Sequence, residues 1–127
     1  MSRVYYNKLV RDGIEAKIKN KGEACEVRVI TDSAEFEQEL RKKIKEEADG
    51  LAMTTTRAEF LQEYADLMVV LDALTQHYEI SEAELKIAMT ENVTKKGLFK
   101  ARHFLHWSDA GAYKSNETPQ GTVDTPT

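Results

Sequence analysis

Leu61–Leu74, LQEYADLMVVLDAL, is the stretch whose pattern decides what the rest of the chain has to be. Its centre, Leu67 to Leu71, is the longest uninterrupted apolar run, and at five residues it is far too short to cross a bilayer. With Ala73 and Leu74 it is apolar on more than one helical face. A helix of this kind needs cover from other elements, so it is expected at the centre of a helical protein. Directly before the apolar run, Glu63 and Asp66 stand three residues apart and therefore share a face.

Working outward, Thr56 followed by Glu59 has capping-box spacing and predicts that this helix starts at Arg57 and runs to about Tyr78. Asp32 followed by Glu35 has the same spacing, and Phe36, Leu40, Ile44, Ala48 and Leu51 continue a buried stripe to about Ala52. Ser81 and Glu84 open a further helix to about Lys95, with Leu85, Ala88, Met89 and Val93 on its inner side. Near the start, Val10, Ile14 and Ile18 lie four apart, which predicts a helix from about Lys8 to Asn20, ended by Gly22. Cys25, Val27 and Val29 alternate with Glu26 and Arg28, the pattern of a short strand or extended arm that needs a partner. After Lys96 come Gly97, Leu98, Phe99, Phe104, Leu105 and Trp107, suited to covering the bundle or the mouth of a site. Residues 108–127 lose periodicity and read as a mobile tail. The expectation is an all-α bundle of four main helices with a short extended arm, a domain at 1–107 and a tail at 108–127. Because the central helix is apolar all round, a homodimer or homotetramer is expected to complete it.

Composition narrows the function. The chain has 127 residues, 41% hydrophobic and 31% charged, which suits one globular domain and excludes collagen-like or wholly disordered classes. Cys25 is the single cysteine, and no Cys/His cluster has zinc spacing. The first fifteen residues lack the apolar core of a secretory leader, and cytoplasmic residence is the default expectation. Charge is unevenly distributed: residues 1–31 hold seven Lys/Arg against four acids, residues 32–84 five against fourteen, and residues 85–107 five against one. An acidic middle between basic flanks suits divalent cations and phosphates around one cleft. No long basic face or nucleic-acid motif is present, so a small phosphorylated ligand is expected rather than a nucleic-acid polymer or a membrane.

The acids carry the chemistry. Glu46, Glu47 and Asp49 on the second helix adjoin Ala48 and Leu51, at a depth matching Glu63 and Asp66 if the two helices pair antiparallel across Met53 to Thr55. Carboxylates converging in a partly apolar setting repel unless protonated or neutralised by a cation. An oxygen-only donor set favours Mg²⁺ or Mn²⁺. The bland alternative is a solvated face, which fits Glu46 and Glu47 better than Asp66, whose neighbours are Ala65, Leu67 and Met68. Asp72, six positions from Asp66, reads as a surface acid.

KIKEEADGL at 43–51 followed by LQEYADLMVVLDAL at 61–74 resembles the all-helical MazG-like nucleotide pyrophosphohydrolases, which carry Glu-Glu-x-x-Glu and then Glu-x-x-Asp on successive helices. YNKLVRDGI at 6–14 and KKGLFKARHFL at 95–105 are similar to the opening and closing stretches of the phosphoribosyl-ATP pyrophosphohydrolase-like branch. The resemblance implies that Glu47, Glu63 and Asp66 are catalytic metal ligands and that Glu46 is an additional acidic ligand. It also implies that a nucleoside triphosphate or phosphoribosyl nucleotide is hydrolysed to a monophosphate and pyrophosphate. The last Glu of the first motif falls at Gly50, which has no side chain to bind a metal. Asp49 is turned away by roughly 100° on an ideal helix, and water is the natural replacement, since Mg²⁺ commonly retains waters. The alternative expectation is a noncatalytic nucleotide-binding or regulatory protein that lost this ligand.

The resemblance places phosphate and nucleotide contacts at Lys95 and Lys96, with Lys8, Arg11 and Asn92 as helpers. Two lysines near a helix C-terminus also suit the helix dipole without any ligand. Structural roles are expected for the rest: His77, His103 and His106 as surface or cover residues, Tyr5 and Tyr6 in docking the N-terminal arm, Trp107 as an anchor, and Cys25 as a buried or interfacial thiol.

Overall fold

The structure is a computed structural model that describes residues 2–109. The tail predicted at 108–127 lies outside the described residues from 110 onward. Among the described residues the fold is all helical, with no strand, and has four helices: α1 (Ile14–Asn20), α2 (Ser33–Ala52), α3 (Arg57–His77) and α4 (Glu82–Lys96). The chain divides into two units, Met1–Ile87 and Ala88–Thr127, with the division inside α4.

Local capping chemistry sets the helix starts. The Asp32 side chain accepts from the Ala34 backbone N–H at α2, and Ser81 Oγ accepts from Glu84 N–H at 3.2 Å before α4. At α3 the exchange is two-way: Thr56 Oγ1 accepts from Glu59 N–H at 3.1 Å, while the Glu59 carboxylate accepts from Thr55 N–H at 3.4 Å. Helix ends follow the same logic. After α1 the N–H groups of Gly22 and Glu23 return to the carbonyls of Lys19 and Ile18, a Schellman closure in which Gly22 takes φ +79°. The end of α3 repeats it, with Glu79 and Ile80 donating to Gln76 and Thr75, but there the left-handed position, φ +58°, is held by Glu79.

Helices α2 and α3 pack against each other as an antiparallel pair joined by the short segment 53–56. The ends are matched by contacts between the start of α2 and the end of α3: Phe36 meets His77 edge-on at 5.6 Å, and Tyr78 OH donates to Glu37 while Arg41 donates to Tyr78 OH. Leu40 and Val70, 2% and 5% exposed, are the most enclosed apolar side chains of the pair. Around them Phe36, Ile44, Leu51, Leu67, Leu71 and Leu74 are half-buried, while Ala48 of the predicted stripe is exposed.

Three expectations change. The first helix begins at Ile14 instead of Lys8. Asn7 sits at φ +47°, and the side chains of Lys8 and Arg11 are drawn to acids of α2 and α3, so residues 8–13 follow an irregular path onto those helices. Residues 25–29 form no strand, because an isolated stretch has no partner to accept its hydrogen bonds. Leu85, Ala88 and Met89, expected inside, are exposed, as are Leu98, Phe99, Phe104, Leu105 and Trp107. No helix among the described residues is long and apolar enough to cross a membrane.

Candidate metal centre

One symmetry of spacing builds the site. Glu47 comes seven residues after the buried Leu40 on α2, and Glu63 comes seven residues before the buried Val70 on α3. Seven residues are almost two turns, so each glutamate lies within roughly 20° of the face that its helix turns to the other. Asp66, four residues before Val70, lies within roughly 40° of the same line. Since the helices run antiparallel from a short connection, these positions fall at one level, near the end of α2 and the start of α3. Carboxylate oxygens of Glu47, Glu63 and Asp66 all lie within 4.8 Å of one another.

Gly50 completes the geometry by having no side chain. A Cβ built there would stand 3.0 Å from Glu63 Oε2 and 3.6 Å from its carboxyl carbon. The missing side chain is thus aimed at the acidic group, and the Glu63 carboxylate occupies the room it leaves. Asp49 does not replace it: its side chain is exposed and pairs with Lys45 at 3.7 Å, while α2 continues helical through Gly50 to Ala52.

Glu46 is not brought into the group of three. It lies roughly 100° round α2 from Glu47, accepts from Lys8 Nζ at 2.9 Å, and pairs with Lys43 at 3.4 Å. The Lys8 hydrogen bond lowers the Glu46 carboxyl below its usual range, and Glu46 in turn raises the Lys8 ammonium. Glu47 behaves oppositely. Burial, assisted by the charges of Asp66, Glu46 and Glu63, raises its carboxyl above the ordinary value, with Lys43 pulling the other way. The side chains of Lys43 and Glu47 are only 12% and 16% exposed, and their charged atoms stand 3.7 Å apart. Lys43 escaped the sequence reading, although its position four residues before Glu47 is the spacing of a helical ion pair.

The N-terminal segment reaches the same place. Arg11 Nη1 lies 3.5 Å from Asp66 Oδ1, and Lys8, over the Tyr6 ring at 5.7 Å, holds Glu46. In the unit that begins at Ala88, Asn92, Lys95 and Lys96 share the last turns of α4 and line an open surface depression with Ala88 and Glu91. Asp72, His103 and His106 are exposed, Tyr5 and Tyr6 are exposed, and Cys25 is half-buried.

The donor set suits a hard divalent cation. Neighbouring ligand oxygens on Mg²⁺ stand about 3 Å apart, so the flexible carboxylates of Glu47, Glu63 and Asp66, whose oxygens lie within 4.8 Å of one another, would have to draw closer together to share one ion. Three protein oxygens leave positions for water or phosphate. No family model matches the chain, and neither a curated protein nor a solved structure matches it.

Proposed function

We propose that this protein is a divalent-cation-dependent nucleotide pyrophosphohydrolase of the MazG-like kind, acting on a nucleoside triphosphate or a phosphoribosyl nucleotide. The observation that carries the reading is the convergence of Glu47, Glu63 and Asp66 from two helices, the residues that the two sequence motifs nominate. Glu47, Glu63 and Asp66 hold the cation, Mg²⁺ or Mn²⁺. Bound there, the cation neutralises phosphate charge and acidifies water. Water attacks the α–β phosphoanhydride, that bond breaks, pyrophosphate leaves the nucleoside monophosphate, and the proton lost by the water passes to solvent. Lys43 keeps Glu47 and Glu46 in place by pairing with both.

Asn92, Lys95 and Lys96 are assigned to the nucleotide by the family resemblance alone. Replacing Lys96 with Ala and measuring nucleotide binding by calorimetry tests this, since unchanged affinity removes it. Self-association belongs to the same reading. Phe60, Leu61, Tyr64 and Met68 are exposed and occupy roughly 100° of the α3 surface, the kind of apolar face a second copy covers.

Gly50 favours one alternative, a nucleotide-binding protein without catalysis, because the ligand set is one carboxylate short of the motif. The deciding assay measures monophosphate and pyrophosphate release from canonical, deoxy and modified nucleoside triphosphates and phosphoribosyl-ATP, with Mg²⁺ or Mn²⁺. Release lost in Asp66→Asn supports the hydrolase. Nucleotide binding without release supports the alternative.

A further inference from the structure

We infer that Arg11 is a resident counter-ion of the acidic centre, which a divalent cation displaces and which the displacement frees to take the phosphate oxygens of an incoming ligand. This deepens the cation-binding reading above and rests on it. Four carboxylates, Glu46, Glu47, Glu63 and Asp66, crowd the facing ends of α2 and α3, and three basic side chains answer them. Two of these are settled. Lys43, 12% exposed, pairs with Glu46 and Glu47 along its own helix, and Lys8 holds Glu46, which stands outside the group of three. Unlike Lys43, Arg11 sits outside the helices, on the irregular segment it shares with Lys8, and its side chain is 51% exposed; unlike Lys8, it addresses a member of the group of three, Asp66, at 3.5 Å.

A guanidinium at that distance does what a cation would do for Asp66, so the two compete for one carboxylate and repel each other across it. The competition is weak enough to reverse, because an exposed pair is screened by water and salt. Once a divalent cation neutralises Asp66, the guanidinium has lost its partner while remaining tethered beside the cation. Its planar fork then matches the oxygens of a phosphate held by that cation. The consequence is a reversal of sign: Arg11 weakens binding of the bare cation and strengthens binding of a phosphate ligand after it.

The test uses the full chain and two probes, Mn²⁺ followed by its paramagnetic resonance signal and inorganic pyrophosphate titrated calorimetrically at saturating Mn²⁺. Circular dichroism in metal-free buffer establishes that each variant is folded. Arg11→Gln is expected to bind Mn²⁺ about three- to tenfold more tightly than wild type and to bind pyrophosphate more weakly by a similar factor. Arg11→Lys, which keeps the charge, stays near wild type for Mn²⁺ and covers the case in which the glutamine variant is poorly folded. Equal or weaker Mn²⁺ binding by Arg11→Gln, with wild-type binding intact, overturns the inference and leaves the metal centre standing. Unchanged pyrophosphate affinity overturns the second half. Absence of Mn²⁺ binding in both proteins overturns the metal centre, and this inference with it.

Discussion

The carboxylate of Glu63 lies against Gly50, with Oε2 3.0 Å from where a Cβ would stand. A glycine on one helix and a glutamate on the next thus share the space that a fourth carboxylate would occupy.

Substitution at Gly50 separates helix propensity from site chemistry. Alanine is the better helix former by up to about 1 kcal/mol in a helix interior, and the contact it makes is with the movable end of Glu63. Gly50→Ala is therefore expected to melt slightly higher without metal, by about 0.5 kcal/mol, while binding Mn²⁺ more weakly because Glu63 is pushed aside. Gly50→Glu adds a like charge to the cluster. Its metal-free melting temperature should fall below that of Gly50→Ala, and its Mn²⁺ affinity should exceed wild type. Calorimetry and thermal melts on the three proteins decide the matter.

Glu47 makes stability depend on pH. Its folded-state carboxyl is raised above 4.5 mainly by burial, so the native state holds the proton more firmly than the unfolded chain. That stabilisation is fully present below the ordinary value and is lost as pH rises through the folded value. Near neutral pH, Glu47→Gln should raise the metal-free melting temperature and flatten its fall with rising pH. Saturating Mn²⁺ should reverse the order, since the wild-type protein gains the binding energy of the ligand. Melts from pH 4 to 8, with and without Mn²⁺, read both effects.

At the end of α3, Glu79 holds a left-handed backbone position with a Cβ in place. Glu79→Gly should stabilise the protein by about 0.5–1 kcal/mol, whereas Glu79→Ala, which keeps the Cβ, should gain much less. A pair of thermal melts distinguishes the two.

The α3 stripe of Phe60, Leu61, Tyr64 and Met68 should place wild-type protein in a homodimer or homotetramer. The double substitution Leu61→Glu and Met68→Glu is expected to shift sedimentation toward monomer, with self-association weakened by at least about tenfold in affinity. Sedimentation velocity across a concentration series checks this.

The boundaries of α2, α3 and α4 were legible from the chain alone because they depend on neighbours three or four residues away: Asp32, Thr56 and Ser81 cap locally, and Gly22 ends α1 where expected. Linear spacing put Glu63 and Asp66 on one face and brought Glu46, Glu47 and Asp49 to a matching level, while Glu47 was singled out by the motif resemblance. Tertiary structure decided the rest. Glu46 and Glu47 are adjacent in sequence and both acidic, and only the packing of α2 on α3 turns one toward the partner helix and leaves the other to Lys8. Val10, Ile14 and Ile18 have helical spacing, yet α1 starts at Ile14, as Lys8 and Arg11 find acids more than thirty residues away. Short-range hydrogen bonds and periodicity can be read along a chain. Which charges meet depends on how two helices rotate and align against each other, and that is settled only when their apolar faces pack.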